Sequence, residues 1–389
     1  MEERRKPGRP KGSANKPKDS ASNVITVNME KQILNIPRTL VNPQGWINWG
    51  DRNDFPNMLE ELYFNSPTNR AAIDFIAENI VKDIEGDYIA PNYTEDWNTF
   101  LNKLALDLTI YGGYAFQVIK NKDNKTYSFF HQPFATVRCA KPDENDVISG
   151  FYICKDWTEQ GKYKPFFVKR FGFQDEKISQ GEVQLFYYSR YTVGQDYYPL
   201  PAYYSAIKAI QTECELIKYD LKSVLNNFSA NGIITLDRID DETERKQVIK
   251  GIQSMFTGAD NANTVVVTFK NNSDDQPVQF TPFDKNSDSV NLFGDNNDRT
   301  INRILAAHKI SNSALIGIVT GGSGFNSEAA FLESAYKLLD RTVLRKMRKE
   351  LVDTINKMFT LNGISEVLDY DTGSFIDNQT ESDDKLINE

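Results

Sequence analysis

The chain has 389 residues, of which 40% are apolar and 12% aromatic, enough for one large or two to three modest packed units. It carries 45 basic and 54 acidic side chains, and its mean hydropathy is −0.52. The longest nearly unbroken apolar stretch, Ala314–Val319, falls far short of the roughly 18 residues of a spanning helix, so no membrane segment is expected. The basic, Pro/Gly-rich start has no apolar centre, which predicts no signal peptide and a soluble protein of cytoplasmic origin.

Histidine and cysteine are rare. The chain holds two histidines and three cysteines, and these five residues are widely spaced: His131, His308, Cys139, Cys154 and Cys214. An odd, scattered cysteine set predicts neither a disulfide framework nor a CxxC metal site, and the histidines lie too far apart in sequence to suggest a zinc centre. We therefore expect no metal and no cofactor, and structural roles for all five side chains.

The two ends of the chain have opposite charge. Residues 1–18 carry seven basic and two acidic side chains, whereas residues 364–389 carry eight acidic and one basic. The basic end includes Lys6–Ser13, where the Gly-Arg-Pro core with Arg9 and Lys11 resembles an AT-hook, a short element that places arginine in the A·T minor groove. A solvated tail is the alternative. Because the remaining body is acidic, we do not expect it to clamp nucleic acid by neutralising phosphates.

In chain order, the first half alternates helical and strand patterns. A Trp-rich segment is followed by predicted helices at 58–64, from Ser66-Pro67 onward, and from about Glu95 to Tyr111, the last ending at Gly112-Gly113. Short β patterns then follow at 115–120, 126–131, 136–139, 150–154, 166–171 and 183–188. These patterns predict an α+β domain with a sheet rich in Tyr and Phe.

A long helix is predicted over residues 201–230, about 45 Å in length. Its apolar positions repeat at alternating spacings of four and three: Tyr203, Ile207, Ile210, Cys214, Ile217, Leu221, Val224 and Phe228. A sustained heptad stripe is typical of lengthwise packing against similar helices. An ordinary helical hairpin within one chain is the alternative.

The remaining elements are a small insertion and two further helices. The insertion has strand patterns at 233–236, 264–269 and 278–280 around a helix at 241–256, and a helix is predicted at about 290–309. A Gly-rich loop then leads into a final helix from Ser327 to about Phe359, with a basic middle. Glycines such as Gly321 and Gly324 let this loop change its backbone at little steric cost.

This order of parts resembles the portal proteins of tailed bacteriophages, the head-to-tail connectors of Caudovirales-type phages. The resemblance rests on Tyr198–Tyr203 with the helix to Phe228–Ile233, on Ile304–Gly317, and on the helix start at Asn326–Glu328, over residues 45–360. Ser311 and Asn312 stand near positions where relatives often have proline, a small departure.

The resemblance implies a fold with an α/β wing, long stem helices, a small α/β clip and a long C-terminal helix. On this chain the parts are a basic tail (1–29), the wing (30–200), a stem helix (201–231), the clip (232–283), a second stem helix (284–310), a tunnel loop (311–326), a long wing and crown helix (327–362) and an acidic tail (363–389). The channel-facing residues of the tunnel loop would be Thr320, Gly321, Gly322, Ser323, Gly324, Phe325 and Asn326. Phe325 or Asn326 would line the narrowest point, and a passive connector is the alternative for this loop.

The resemblance also implies a function and partners. Portal proteins form a ring, usually of twelve subunits, at one capsid vertex, and DNA is packaged and ejected through the channel. The expected partners are other copies of the chain, the large terminase subunit, the head-tail adaptor, the major capsid or scaffolding protein, and double-stranded DNA in transit. The expected location is the portal vertex of the virion, and the host cytoplasm during assembly.

Two other classes of function compete with this interpretation. The first is an enzyme with a nucleophile elbow, a Gly-x-Ser-x-Gly turn that has glycine two residues before and two residues after the serine. Ser323 has Gly321 before it but Phe325 after it, so the loop does not match this motif. The same loop has no lysine and so does not match a phosphate-binding loop. We therefore expect no enzymatic activity. A DNA-binding regulator led by the AT-hook is the other alternative, which the acidic body disfavours.

Overall fold

The structure is a computed structural model. It describes residues 37, 39–81, 84, 88–123, 125–172, 178–225, 232–236, 241–256, 265–269, 279–282, 287–318, 325–365 and 368. The basic N-terminal tail with Arg9 and Lys11 lies outside the described residues, as do residues 319–324 and 369–389.

Three helices form the first layer. They follow a short antiparallel pair, β1 (Thr39–Val41) and β2 (Ile47–Trp49), and are α1 (Phe55–Asn65), α2 (Pro67–Ile80) and α3 (Trp97–Tyr111). The Ser66 side chain accepts a hydrogen bond from the backbone of Asn69, so it caps α2 as predicted. Gly112 ends α3 at φ 86°, and a Cβ there would lie 2.8 Å from the Leu200 carbonyl oxygen, so this turn requires glycine.

The six β patterns that follow form one sheet. Its strands are β3 (Gly113–Lys120), β4 (Tyr127–Gln132), β5 (Val137–Cys139), β6 (Gly150–Ile153), β7 (Phe166–Arg170) and β8 (Val183–Ser189). Their order is β4-β3-β8-β7-β6-β5, and all neighbours are antiparallel except β7 and β8. The six predicted strands are confirmed with shifts of one or two residues at their ends.

Aromatic rings dominate the core between this sheet and the helices. Phe116 stacks on Phe186 across β3 and β8 with ring centroids 4.6 Å apart, and Tyr114 stacks on Tyr188 at 4.9 Å. Such pairs add about 0.5–1.5 kcal/mol to the burial of apolar area. The Tyr- and Phe-rich strands therefore supply much of the core that holds the helical layer.

One face of the sheet region buries a cation. Arg138 is fully buried, and its guanidinium carbon lies 4.9 Å from the Trp157 ring centroid and 5.6 Å from that of Trp49. It donates to the Asn53 side chain and to three backbone carbonyls, those of Asn53 (3.0 Å), Ala135 (2.7 Å) and Val137 (2.9 Å). Among the described residues, backbone oxygens and aromatic faces, and no carboxylate, thus compensate the charge.

The second half contains two long helices with an insertion between them. The helices are α4 (Ile207–Leu225) and α6 (Ser287–Ala307), which pack against each other. The insertion contains β9 (Gly232–Leu236), α5 (Glu242–Phe256), β10 (Val265–Phe269) and β11 (Gln279–Pro282). Its sheet has the order β10-β9-β11, with β10 parallel and β11 antiparallel to β9.

The prediction that the long helix starts at residue 201 was wrong. The described helix α4 begins at Ile207, after a turn and a single 3₁₀ turn over Tyr204–Ala206. The cause is Tyr203, whose hydroxyl donates to the Ile110 carbonyl oxygen (3.0 Å) and whose ring stacks on His308. These contacts hold the chain in a turn where the heptad pattern alone predicts a helix.

The last helix is not uniform. It consists of α7 (Phe325–Leu339), one π-helical turn (Asp340–Leu344) and α8 (Arg345–Leu361). The predicted loop to Asn326 and the helix start at Ser327 are corrected accordingly, because Phe325 and Asn326 already belong to the first turn of α7. Arg348 lies just after the π turn, pairs with Asp340 (3.0 Å) and donates to the last carbonyls of α2.

No described helix is long and apolar enough to cross a membrane, and within the described ranges no group of His, Cys, Asp and Glu is arranged to hold a metal ion. Cys139, Cys154 and Cys214 are buried free thiols.

Candidate assembly surface

The predicted apolar stripe of α4 divides into a buried half and an exposed half. Tyr203, Ile207, Ile210 and Cys214 are buried, whereas Ile217 is 41% and Leu221 58% exposed. The side chain of Val224 and all of Phe228 lie outside the described part of the chain. One stripe in the sequence therefore faces two different environments.

The buried half packs within the chain. It lies against α6 and α1, and the Tyr203 ring stacks on the His308 ring at 4.9 Å. The buried half therefore packs as expected for an ordinary helical hairpin within one chain.

The exposed half presents Ile217 and Leu221, which lie one helical turn apart on the same face. Exposed large apolar side chains that continue a buried stripe are typical of a surface that another helix covers. We call the pair Ile217 and Leu221 the open stripe.

A groove between α4 and α6 lies beside these helices. It has a volume of about 480 Å³ and is lined largely by small side chains: Ser205, Ala206, Ala209, Thr212, Ala306 and Ala307, with Lys208 and Arg303 also lining it. Small residues let a second backbone approach closely.

A buried carboxylate anchors α4 to the helical layer. Glu213 is 5% exposed and accepts hydrogen bonds from the hydroxyls of Ser66 and Thr68 at the start of α2. The positive end of the helix dipole and these donors stabilise the negative charge there. The open stripe begins one turn beyond this anchor, so its base is held in a fixed position.

A buried histidine anchors α6 to the same helix. His308 Nε2–H donates to Oδ1 of Asn69 (2.9 Å), and burial lowers the pKa of His308 from 6.5 to about 3. The imidazole is therefore neutral at pH 7. Together Glu213 and His308 fasten both long helices to the first two turns of α2.

We expect His308 to make stability fall with acid. The unfolded chain takes up a proton near pH 6.5 and the folded chain only near pH 3, so lowering the pH from 7 to 5 should cost about 2 kcal/mol at this site. Urea unfolding of the natural protein and of His308→Gln at both pH values measures this difference, because the variant cannot titrate there. Above pH 7.5 the two proteins should show parallel curves; equal losses between pH 7 and 5 would contradict the assignment.

The residues predicted for a DNA channel fall mostly outside the description. Thr320, Gly321, Gly322, Ser323 and Gly324 are not among the described residues, and Phe325 and Asn326 are helical. Their role in a channel stays a prediction.

Sequence reasoning missed a second exposed apolar pair. Phe331 is 59% and Leu338 54% exposed, and they lie seven residues apart on α7, which places them on one face. The seven-residue spacing between Phe331 and Leu338 was visible in the sequence, but the neighbouring apolar positions that include the buried Leu339 gave a stronger pattern.

Comparison with known proteins gives matches only at the level of structure: no protein-family model and no curated protein matches the sequence. A chain in the neck of an empty gene transfer agent (GTA) particle, computed with C6 symmetry, is 13% identical, with 90% of each chain covered and a TM-score of 0.55. A chain in the neck of the native GTA particle, computed with C12 symmetry, is 12% identical, with 84% of each chain covered and a TM-score of 0.52.

A third similar structure is an HK97 family phage portal protein from Corynebacterium diphtheriae. It is 12% identical, with 76% of this chain and 87% of that chain covered, and its TM-score of 0.41 is too low to carry an argument. The two GTA neck chains are distant in sequence, yet they align along most of both lengths. This likeness shows that the fold is shared with chains of a GTA particle neck, and the mixed helices and sheets confirm the α+β class that the sequence predicted.

Proposed function

We propose that the chain is a portal-type subunit that forms a ring at one vertex of a phage-like capsid, through which DNA is packaged and ejected. The observation that carries the proposal is the likeness to neck chains computed with C6 and C12 symmetry, which extends over 84% or more of each chain. A shared fold over that length supports a shared place in a particle.

The exposed surface supports assembly into a closed ring. A ring needs two different complementary patches on each subunit, because each copy contacts its neighbours through unlike faces. The described chain has two exposed apolar pairs on separate helices, the open stripe on α4 and Phe331 with Leu338 on α7. We infer that each pair is covered by a neighbouring copy, and that the ring has twelve subunits.

Under this proposal, the helical layer and six-stranded sheet are the wing, α4 and α6 are the paired stem helices, and the insertion with β9, α5, β10 and β11 is the clip. The clip would contact the large terminase subunit and later the head-tail adaptor, and the wing would contact the major capsid or scaffolding protein. The loop before α7 would face DNA. The location would be the virion, with assembly in the host cytoplasm.

The charge of the body suits a channel for moving DNA. The whole chain has a net charge of −9, although its first 18 residues are basic. A protein that neutralises few phosphates releases few counterions and holds DNA weakly. DNA could then slide without being held.

The mass of the purified, untagged protein tests the proposal. Native mass spectrometry should give a species near twelve times 44.4 kDa, and negative-stain images should show a ring with a central hole. A monomer at every salt concentration, with and without a scaffolding protein, would contradict it. The basic tail would then be tested on A·T-rich duplex DNA.

A further inference from the structure

The π turn between α7 and α8 lines a cavity of about 210 Å³. Its walls come from α2, α3, the residue after β8, the turn before α4, the end of α6, the π turn and the start of α8. π turns occur often at functional sites, and here one lies where six other segments converge. Tyr203 and His308 also line it, but the packing roles described for them involve no occupant of the cavity.

The cavity has an apolar floor. Ile76, Leu108 and Met347 are buried and line it, and Val343 contributes from the π turn. These side chains offer no hydrogen-bonding group, so the floor selects an apolar occupant.

The lining also carries three basic side chains. They belong to Arg190, Lys309 and Lys346, and only Arg190 is paired, to the Glu350 carboxylate (2.5 Å). Lys309 and Lys346 are exposed, and no described carboxylate lies within salt-bridge distance of either. The occupant should therefore carry negative charge beside its apolar part.

The volume restricts the occupant further. Ligand pockets for small molecules and cofactors usually measure about 300–1,000 Å³, so this cavity is small for one. It suits a single large side chain of a polypeptide, the kind of anchor that fills a pocket at an interface. An acidic peptide segment with one aromatic residue meets both requirements.

The chain itself contains such a segment just beyond the described residues. In 369–380 the sequence places Phe375 and Ile376 between Asp371 and Asp377, and residues 369–389 carry seven acidic side chains against one basic. Charge and apolar character thus both match the cavity.

The segment is also within reach. Leu368 is held to Asn356 on α8 by two hydrogen bonds, of 2.9 and 3.1 Å. Asn356 lies ten residues beyond Lys346, about 15 Å along the helix. The seven residues from Leu368 to Phe375 span up to about 23 Å when extended, which is enough to return to the cavity.

We propose that the acidic segment 369–380 docks on this cavity, with Phe375 in the apolar floor and Asp371 and Asp377 near Lys309 and Lys346. The docked segment covers the π turn and ties the end of the chain to α8. This inference does not depend on ring formation.

A dye on the segment in the full-length chain tests the docking. The three native cysteines are buried, so Ser374→Cys provides a selective labelling site. The reference for an undocked segment is the same label in the double variant Lys309→Glu and Lys346→Glu, because a free peptide tumbles faster than any tethered segment. Docking should give a fluorescence anisotropy in the natural chain at least twofold above that of this double variant, and an excess of unlabelled peptide 369–380 should lower it to the value of the variant.

Two control variants distinguish docking in the cavity from non-specific electrostatic attraction between the acidic segment and basic side chains. Arg341→Glu makes on the π turn the same change of charge as either single Lys→Glu substitution, but Arg341 does not line the cavity, so this variant should leave the anisotropy unchanged where Lys346→Glu alone lowers it. Phe375→Ala should lower it. The proposal would be overturned by an equal fall with Arg341→Glu, by no fall with Phe375→Ala, or by displacement with inorganic phosphate at matched ionic strength. It would also be overturned by the same anisotropy in the natural chain and in the double variant. The anisotropy is measured separately on monomeric and on assembled protein. The docking test therefore gives an answer even if the chain forms no rings.

Discussion

Replacing Ile217 and Leu221 together with aspartate is expected to abolish ring formation and leave a folded monomer. Burying each of these side chains against a neighbour contributes about 1.5–3 kcal/mol, so the double change removes about 3–6 kcal/mol from every subunit contact. That corresponds to a weakening of about 10²- to 10⁴-fold per interface. Native mass spectrometry and negative-stain images measure the loss directly.

Stability should not change much in this variant, because both side chains are exposed in the single chain. The matched control is Gln211→Glu with Lys218→Gln, which makes the same change of net charge on exposed positions of α4 outside the stripe. It should still assemble. Rings that persist in the aspartate variant, or that are lost equally in the control, would place the assembly surface elsewhere.

Replacing Arg138 with methionine is expected to lower the free energy of unfolding by about 3–5 kcal/mol, comparable to breaking a buried ion pair. The change removes the guanidinium donor from three backbone carbonyls and one of the two donors to Asn53 Oδ1, which keeps the Trp49 backbone N–H, and it removes the cation between Trp49 and Trp157. Unsatisfied buried acceptors cost about 1–3 kcal/mol each, and the similar size of methionine limits the cavity left behind. Urea unfolding followed by tryptophan fluorescence measures the change.

Arg138→Lys should lie between the natural protein and the methionine variant, because one ammonium group cannot reach carbonyls that a planar guanidinium contacts from several nitrogens. Arg170→Met, at an exposed position of β7, is the control and should change stability by about 0.5 kcal/mol or less. A loss below about 1 kcal/mol for Arg138→Met would show that the buried cation is not a structural requirement.

Local patterns were sufficient for the strands of the main sheet and for the start of α2. Each of the six strands of the main sheet has its own short apolar and aromatic pattern bounded by turn residues, and Ser66-Pro67 marks the start of α2 in two residues. These signals act over a few positions, so a single sequence contains them. The position at which α4 starts is not contained in such a local signal, because it depends on contacts of Tyr203 with Ile110 and His308, which are distant in sequence.

The anchors of the candidate assembly surface were hidden for the same reason. Glu213 is one of many charged residues off the heptad stripe, and its partners Ser66 and Thr68 lie about 150 residues earlier. Arg138 follows a valine in a short strand, where nothing local shows that two tryptophans enclose it. The heptad repeat identified the stripe on α4, but only the fold shows that it is buried up to Cys214 and exposed beyond.

The π turn also has a consequence for how this chain can change in length. Successive buried residues along the last helix are never more than three positions apart, except for the five-residue step from Leu339 to Leu344 that the π turn spans. Removing one residue inside that turn turns the step into four, so an uninterrupted α-helix would keep both halves facing the core. The same deletion in α8 would rotate everything after it by about 100° and turn its buried face towards solvent. The π turn is thus the one place on this helix where a single-residue insertion is already accommodated.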